Sequence, residues 1–171
     1  MDLRTEILKE HSKKQAVRLA DFVGKNTTRF AALMELFLRD NLVVCQRSSW
    51  VVIHAVQQYP SLISPYLEEM IDNLDKEVHS AVKRNTVRIF QDIAIPEELL
   101  GKAVDVCFRL LDDPQEAIAV RVFSMQVLYN ACLREPDLKD ELRITIESHL
   151  EFGSSGFISR GKKILKALQK G

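Results

Sequence analysis

Cys45-Gln46-Arg47-Ser48-Ser49-Trp50-Val51-Val52-Ile53-His54-Ala55-Val56 is the stretch that decides the fold. Within it Cys45, Ser49, Val52, Ile53 and Val56 stand at offsets 0, 4, 7, 8 and 11, the spacing of one face of an α-helix. Adding 37 lands on Val82, Thr86, Ile89, Phe90 and Ile93. Adding 38 more gives Val120, Ser124, Val127, Leu128 and Ala131, and a further 37 gives Phe157, Gly161, Ile164, Leu165 and Leu168. Every column stays apolar or small, so one helix type recurs. The second column, Ser49, Thr86, Ser124 and Gly161, is small throughout, as the close approach of a neighbouring helix requires. Ala16, Ala20, Val23 and Gly24 repeat the first four offsets 29 residues before Cys45, in the manner of an atypical end unit.

A second helix precedes each of these. Phe30, Leu33, Met34 and Phe37 map by 37 onto Leu67, Met70, Ile71 and Leu74, and by 37 again onto Val104, Cys107, Phe108 and Leu111. The last unit keeps only Leu142, Ile146 and Leu150 as its apolar positions. A pair of about 37 residues cannot bury its own apolar face, so neighbouring pairs must stack. The expectation is one all-α domain over residues 1–171, with a capping half-unit at 1–26 and helix pairs at 27–60, 61–95, 96–135 and 136–171. Pro65, Pro96, Pro114 and Pro136 are each expected in a first helical turn, where the missing N–H costs nothing, with Ser64 and Asp113 as N-caps. Pro60 falls in a break between helices.

Composition narrows the class of function. The 24 basic and 24 acidic side chains cancel, so no global field draws the chain to nucleic acid or to a membrane. The N-terminus MDLRTEILKEH mixes both charges and lacks the apolar core of a signal peptide, and no apolar run approaches the roughly 20 residues that span a bilayer. Cys45, Cys107 and Cys132 are odd in number and far apart, which reads as buried free thiols. A soluble cytoplasmic protein is expected.

Ala119-Val120-Arg121, Ser124 and Leu128 resemble the second helix of a HEAT repeat, and Ala81-Val82-Lys83, Thr86 and Phe90 resemble it with lysine for arginine. The resemblance covers most of the chain. It implies a short right-handed α-solenoid of antiparallel pairs, of the HEAT/armadillo kind, with second helices lining the concave side. The stretches AVKRNTVRIFQDIAIPEELLGKAVDVCFRLLDDP and AVRVFSMQVL are also similar to small bacterial HEAT-like proteins, some of which carry the label adenylosuccinate lyase. Gly153-Ser154-Ser155-Gly156 is the one local echo of that enzyme, and it reads more simply as a helix-to-helix loop.

No chemistry-bearing constellation stands out. His11, His54, His79 and His149 form no HExxH and lie far from cysteine at zinc-ligand spacing, so neither metal nor cofactor is expected. The acidic pairs Glu68-Glu69, Glu97-Glu98 and Asp112-Asp113 lie where carboxylates favour helix N-termini or stay solvated. What remains is a face beside the core columns of the second helices: Arg47, Trp50 and His54, then Arg84 and Arg88, then Met125 and Tyr129, then Lys163. Arginines grip carboxylates or phosphates, and large side chains anchor an apolar partner at low entropic cost. The first expectation is therefore a non-catalytic scaffold that binds an acidic or amphipathic peptide along the second-helix groove. The alternative is nucleic-acid binding of the kind seen in the HEAT-like DNA alkylation repair enzymes, and a lyase-type enzyme ranks last.

Overall fold

The computed structural model describes residues 1–171 and contains ten α-helices, two 3-10 segments and no strand. Two compact units divide within a helix, at Asn85 and Thr86. The first contains α1 (Leu3–Lys9), α2 (Lys13–Val23), α3 (Thr27–Arg39), α4 (Leu42–Gln58), a 3-10 segment (Pro60–Tyr66) and α5 (Leu67–Asn73), and α6 (Ser80–Phe90) runs across the division. The second contains α7 (Glu97–Asp112), α8 (Ile118–Arg134), a 3-10 turn (Pro136–Leu138), α9 (Lys139–Leu150) and α10 (Ser155–Gln169).

In the first unit α4 is the central element, with α1, α2 and α3 all packed on it. It contributes nine buried residues, including Val44, Val52 and Ala55, which have no exposed surface. Its start is set by Asn41, whose side-chain oxygen accepts the N–H groups of Val43 and Val44, both at 3.2 Å. In the second unit α8 has the corresponding place, packed by α7, α9 and α10. The repeat columns are the core in both units. Leu33, Met34 and Phe37 of α3 and Cys107 and Leu111 of α7 are wholly buried, while Val104 and Phe108 are half-buried. Ser49, Thr86, Ser124 and Gly161 are buried, as a column of small residues at helix contacts should be.

The two expected caps are corrected by the structure. Ser64 lies inside the 3-10 segment, where Pro60 and Pro65 remove two backbone donors and shorten the helical ladder, so α5 begins only at Leu67. Asp113 follows α7 with extended backbone, and its carboxylate accepts the Gln115 N–H at 2.8 Å. That local turn competes with helix initiation, so Pro114 sits in the connection and α8 starts at Ile118.

Candidate partner-binding face

On α4 the face beside the core column is already engaged. Arg47 is half-buried, and its Nη1 donates to the Leu8 carbonyl at 2.9 Å. That carbonyl belongs to the last turn of α1, where no intrahelical donor remains and the partial negative charge favours a cation. Trp50 is also half-buried, with its ring centroid 4.9 Å from that of His11 and the planes tilted by 52°. His11 stands in the three-residue link between α1 and α2, so the N-terminal segment covers both residues. The crevice left among His11, Gln15, Arg47 and Trp50 is about 10 Å³, no more than the room one water needs. His54, one turn further along, is half-buried.

α6 presents a different surface. Arg84 and Arg88 lie one turn apart, both exposed, and neither makes a hydrogen bond or ion pair. The other arginines are committed within the fold. Arg4 holds Asp40 at 2.8 Å, Arg39 joins Glu35 at 2.8 Å and also Glu69, and Arg134 bonds Glu97 at 2.8 Å together with the Ile95 carbonyl. Val87, between the two free arginines, is fully buried and turns the helix so that its two cations face outward.

On α8 the expected anchors separate. Met125 has no exposed surface, and its Cε lies 3.9 Å from the position a Cβ would take on Gly161 of α10. Its place on the partner face is therefore corrected: Met125 belongs to the core, at ordinary contact distance from α10. Tyr129 is half-buried. The neighbouring amides are tied together, Gln126 donating to Asn130 at 3.0 Å and Asn130 donating to the Gln91 carbonyl at 2.9 Å. On α10, Lys162, Lys163 and Lys166 are exposed, and residues 155–171 hold five basic side chains and no acidic one.

One interior cation escaped the sequence reading. Arg121, the arginine of the Val-Arg pair, is only 8% exposed; its Nε donates to the Leu111 carbonyl at 2.9 Å and its guanidinium lies 4.5 Å from the centroid of Phe157. Burial lowers its pKa, partly opposed by the charges of Asp113 and Asp112. This residue joins α7, α8 and α10 and offers nothing to a partner.

The thiols are equally unavailable. Burial pushes Cys107 up to about 12, with the Ser124 hydroxyl opposing the shift, and burial followed by the charge of Asp40 raises Cys45. Neither forms the thiolate that nucleophilic chemistry requires. No group of three or more His, Cys, Asp or Glu side chains is arranged to hold a metal ion, and no helix is long and apolar enough to cross a membrane.

Among known proteins, neither the curated sequences nor the solved structures compared with this chain give a match. The family model described as HEAT repeat domain matches residues 3–168. That span takes in every column of the repeat, from the α1–α2 end unit to Leu168, and the recurring buried face together with this match places the chain in the HEAT repeat domain family.

Proposed function

We propose that this protein is a non-catalytic scaffold whose second-helix face binds an acidic or amphipathic segment of another protein, with Arg84 and Arg88 of α6 as the primary contacts. HEAT repeat domains are typically non-catalytic interaction modules. The observation that supports an acidic or amphipathic partner is the state of the two arginines. An exposed guanidinium pair one helical turn apart, left without a carboxylate in a chain whose other arginines are nearly all engaged, suits bidentate binding of acidic side chains. Lys163, with Lys162 and Lys166, adds a second cationic surface on α10.

The test compares wild type with Arg84→Glu/Arg88→Glu, a change on an exposed face that leaves the core untouched. Fluorescence anisotropy with a labelled acidic amphipathic peptide is expected to show saturable binding by wild type and at least a tenfold loss in the variant, since truncating a charge-assisted contact costs about 1.4 kcal/mol or more. Equal affinity for both proteins would remove α6 from the interface. A duplex DNA probe in the same assay separates the nucleic-acid alternative, because phosphate contacts weaken with a log-log salt slope of about 0.9 each.

A further inference from the structure

The N-terminal helix is lightly held in the first unit. It contributes two buried residues, Leu3 and Ile7, against five from α2 and nine from α4. Its remaining ties are at the rim: Arg4 to Asp40, Glu6 to Arg18, the Gln15 amide to the Glu6 carbonyl at 2.8 Å, and Arg47 to the Leu8 carbonyl. Exposed ion pairs of this kind add little to stability. Seven residues are also too few for a helix that persists alone, so α1 is helical only while docked.

The structure next to α1 does not depend on it. α2 has its own N-cap, the Ser12 hydroxyl accepting the Gln15 N–H at 3.1 Å, and Glu10 between the helices is extended. α2 and α3 pack on α4 without help from α1. Lifting α1 together with Glu10 and His11 of the link would bare Arg47 and Trp50 over an apolar floor of Ala16, Leu19 and Val51. An aromatic and an arginine beside an apolar floor is the composition of an interface hot spot.

We propose that α1 is a displaceable strap, an internal occupant of a helix-docking surface on α4 that a partner's short amphipathic helix takes over. The partner helix carries two aliphatic residues four apart, in place of Leu3 and Ile7, and presents its C-terminal carbonyls to Arg47. This rests on the reading of the second helices as the partner-binding face and assigns its α4 portion a mode of regulation: closed by α1, opened by competition.

Trp50 is the only tryptophan, so its emission reports the strap directly. The strap is released with Leu3→Glu/Ile7→Glu, and a synthetic peptide of residues 1–11 is the probe. The expected result is red-shifted Trp50 emission in the variant with a cooperative melt retained, then a saturable return of the emission as peptide is added. Arg47→Ala in the same background should weaken the peptide about tenfold. In wild type, the amides of residues 6–9 should exchange with solvent at least about tenfold faster than those of residues 48–56, because α1 opens as a local unit. Loss of the cooperative melt in the variant, α1 amides protected as well as those of α4, or no response to millimolar peptide would each overturn the proposal. Arg84→Glu/Arg88→Glu leaves this assay unchanged, so failure of the strap and failure of the α6 contacts are read separately.

Discussion

Two glycines in the second unit, changed in the same way, separate helix propensity from helix packing. Gly101 is exposed in α7, and a Cβ built there meets nothing within 4 Å. Gly101→Ala should therefore stabilise by the intrinsic difference between the two residues, about 0.8–1 kcal/mol. Gly161 of α10 carries the same intrinsic gain, but its Cβ would stand 3.1 Å from Ile146 Cγ2 and 3.2 Å from Leu150 Cδ2 of α9. Carbon atoms are at their best separation at about 3.5–4.0 Å, so the helices must part or both side chains must leave their rotamers. Overpacking of that kind costs about 1–3 kcal/mol, which leaves Gly161→Ala between neutral and about 2 kcal/mol destabilised. Both glycines lie in the unit Thr86–Gly171, so urea denaturation followed by far-UV circular dichroism compares them within one folding unit. The two variants should differ by about 1–3 kcal/mol at an unchanged m-value. If both stabilise equally, the column of small residues has no packing meaning and does not report stacked helices.

Other consequences can be checked with simple measurements. Arg121→Ala should cost about 2 kcal/mol, because it strips the Leu111 carbonyl of its partner and Phe157 of its cover, and a thermal melt would register a drop of several degrees. A thiol reagent at pH 8 should leave Cys107 unlabelled in the native protein and label it fully in urea, since its pKa of about 12 keeps the buried sulfur protonated. Asp2, Glu6 and Asp40 all have lowered pKa values, caused first by hydrogen bonds from Thr5, from Lys9 and from Arg4 respectively. A carboxylate held low in the folded state stabilises above its unfolded pKa and loses that contribution as pH falls through its folded pKa. All three secure α1, so in a His11→Gln background, which removes the imidazole from the indole, Trp50 emission should hold above about pH 5 and shift below about pH 4.

The fold was legible because burial imposes a period. Phe30, Leu33, Met34 and Phe37 recur as a buried set at Leu67, Met70, Ile71 and Leu74 and, for two of the four positions, at Cys107 and Leu111 of α7, and no tertiary accident is needed to read a column that returns every 37 residues. Cap chemistry was harder to read. Ser12, Asn26, Asn41 and Ser154 accept N–H groups of the first turns they precede, and their residue types carry that signal, whereas the prolines drew attention to Ser64 and Asp113, where local turns compete with the helix. The partner face was the least legible. Offsets along one helix say which residues share a side and say nothing of what lies against that side. Met125 shares its offset with Trp50, yet Met125 is wholly buried, and only the packing of the neighbouring helices decides that.

The same offsets thus carry three different roles, and the difference lies in the neighbour of each helix. At α4 the face is occupied by α1 and the link that follows it, through Arg47 and Trp50; at α8 it is partly core, through Met125; at α6 its two arginines are exposed and unpaired. A binding surface needs side chains whose interactions are unmade in the free protein, because a contact already satisfied must be broken before a partner gains from it. By that criterion the proposed contacts on α6 are open to a partner in the free protein, whereas those on α4 open only when α1 is displaced. A partner that engages both should therefore associate more slowly with wild type than with Leu3→Glu/Ile7→Glu, while the slowing vanishes for a partner peptide truncated to its acidic, α6-directed part. Stopped-flow measurement of the two rates decides it: equal association rates for wild type and the released variant would mean that α1 and the partner never compete for α4.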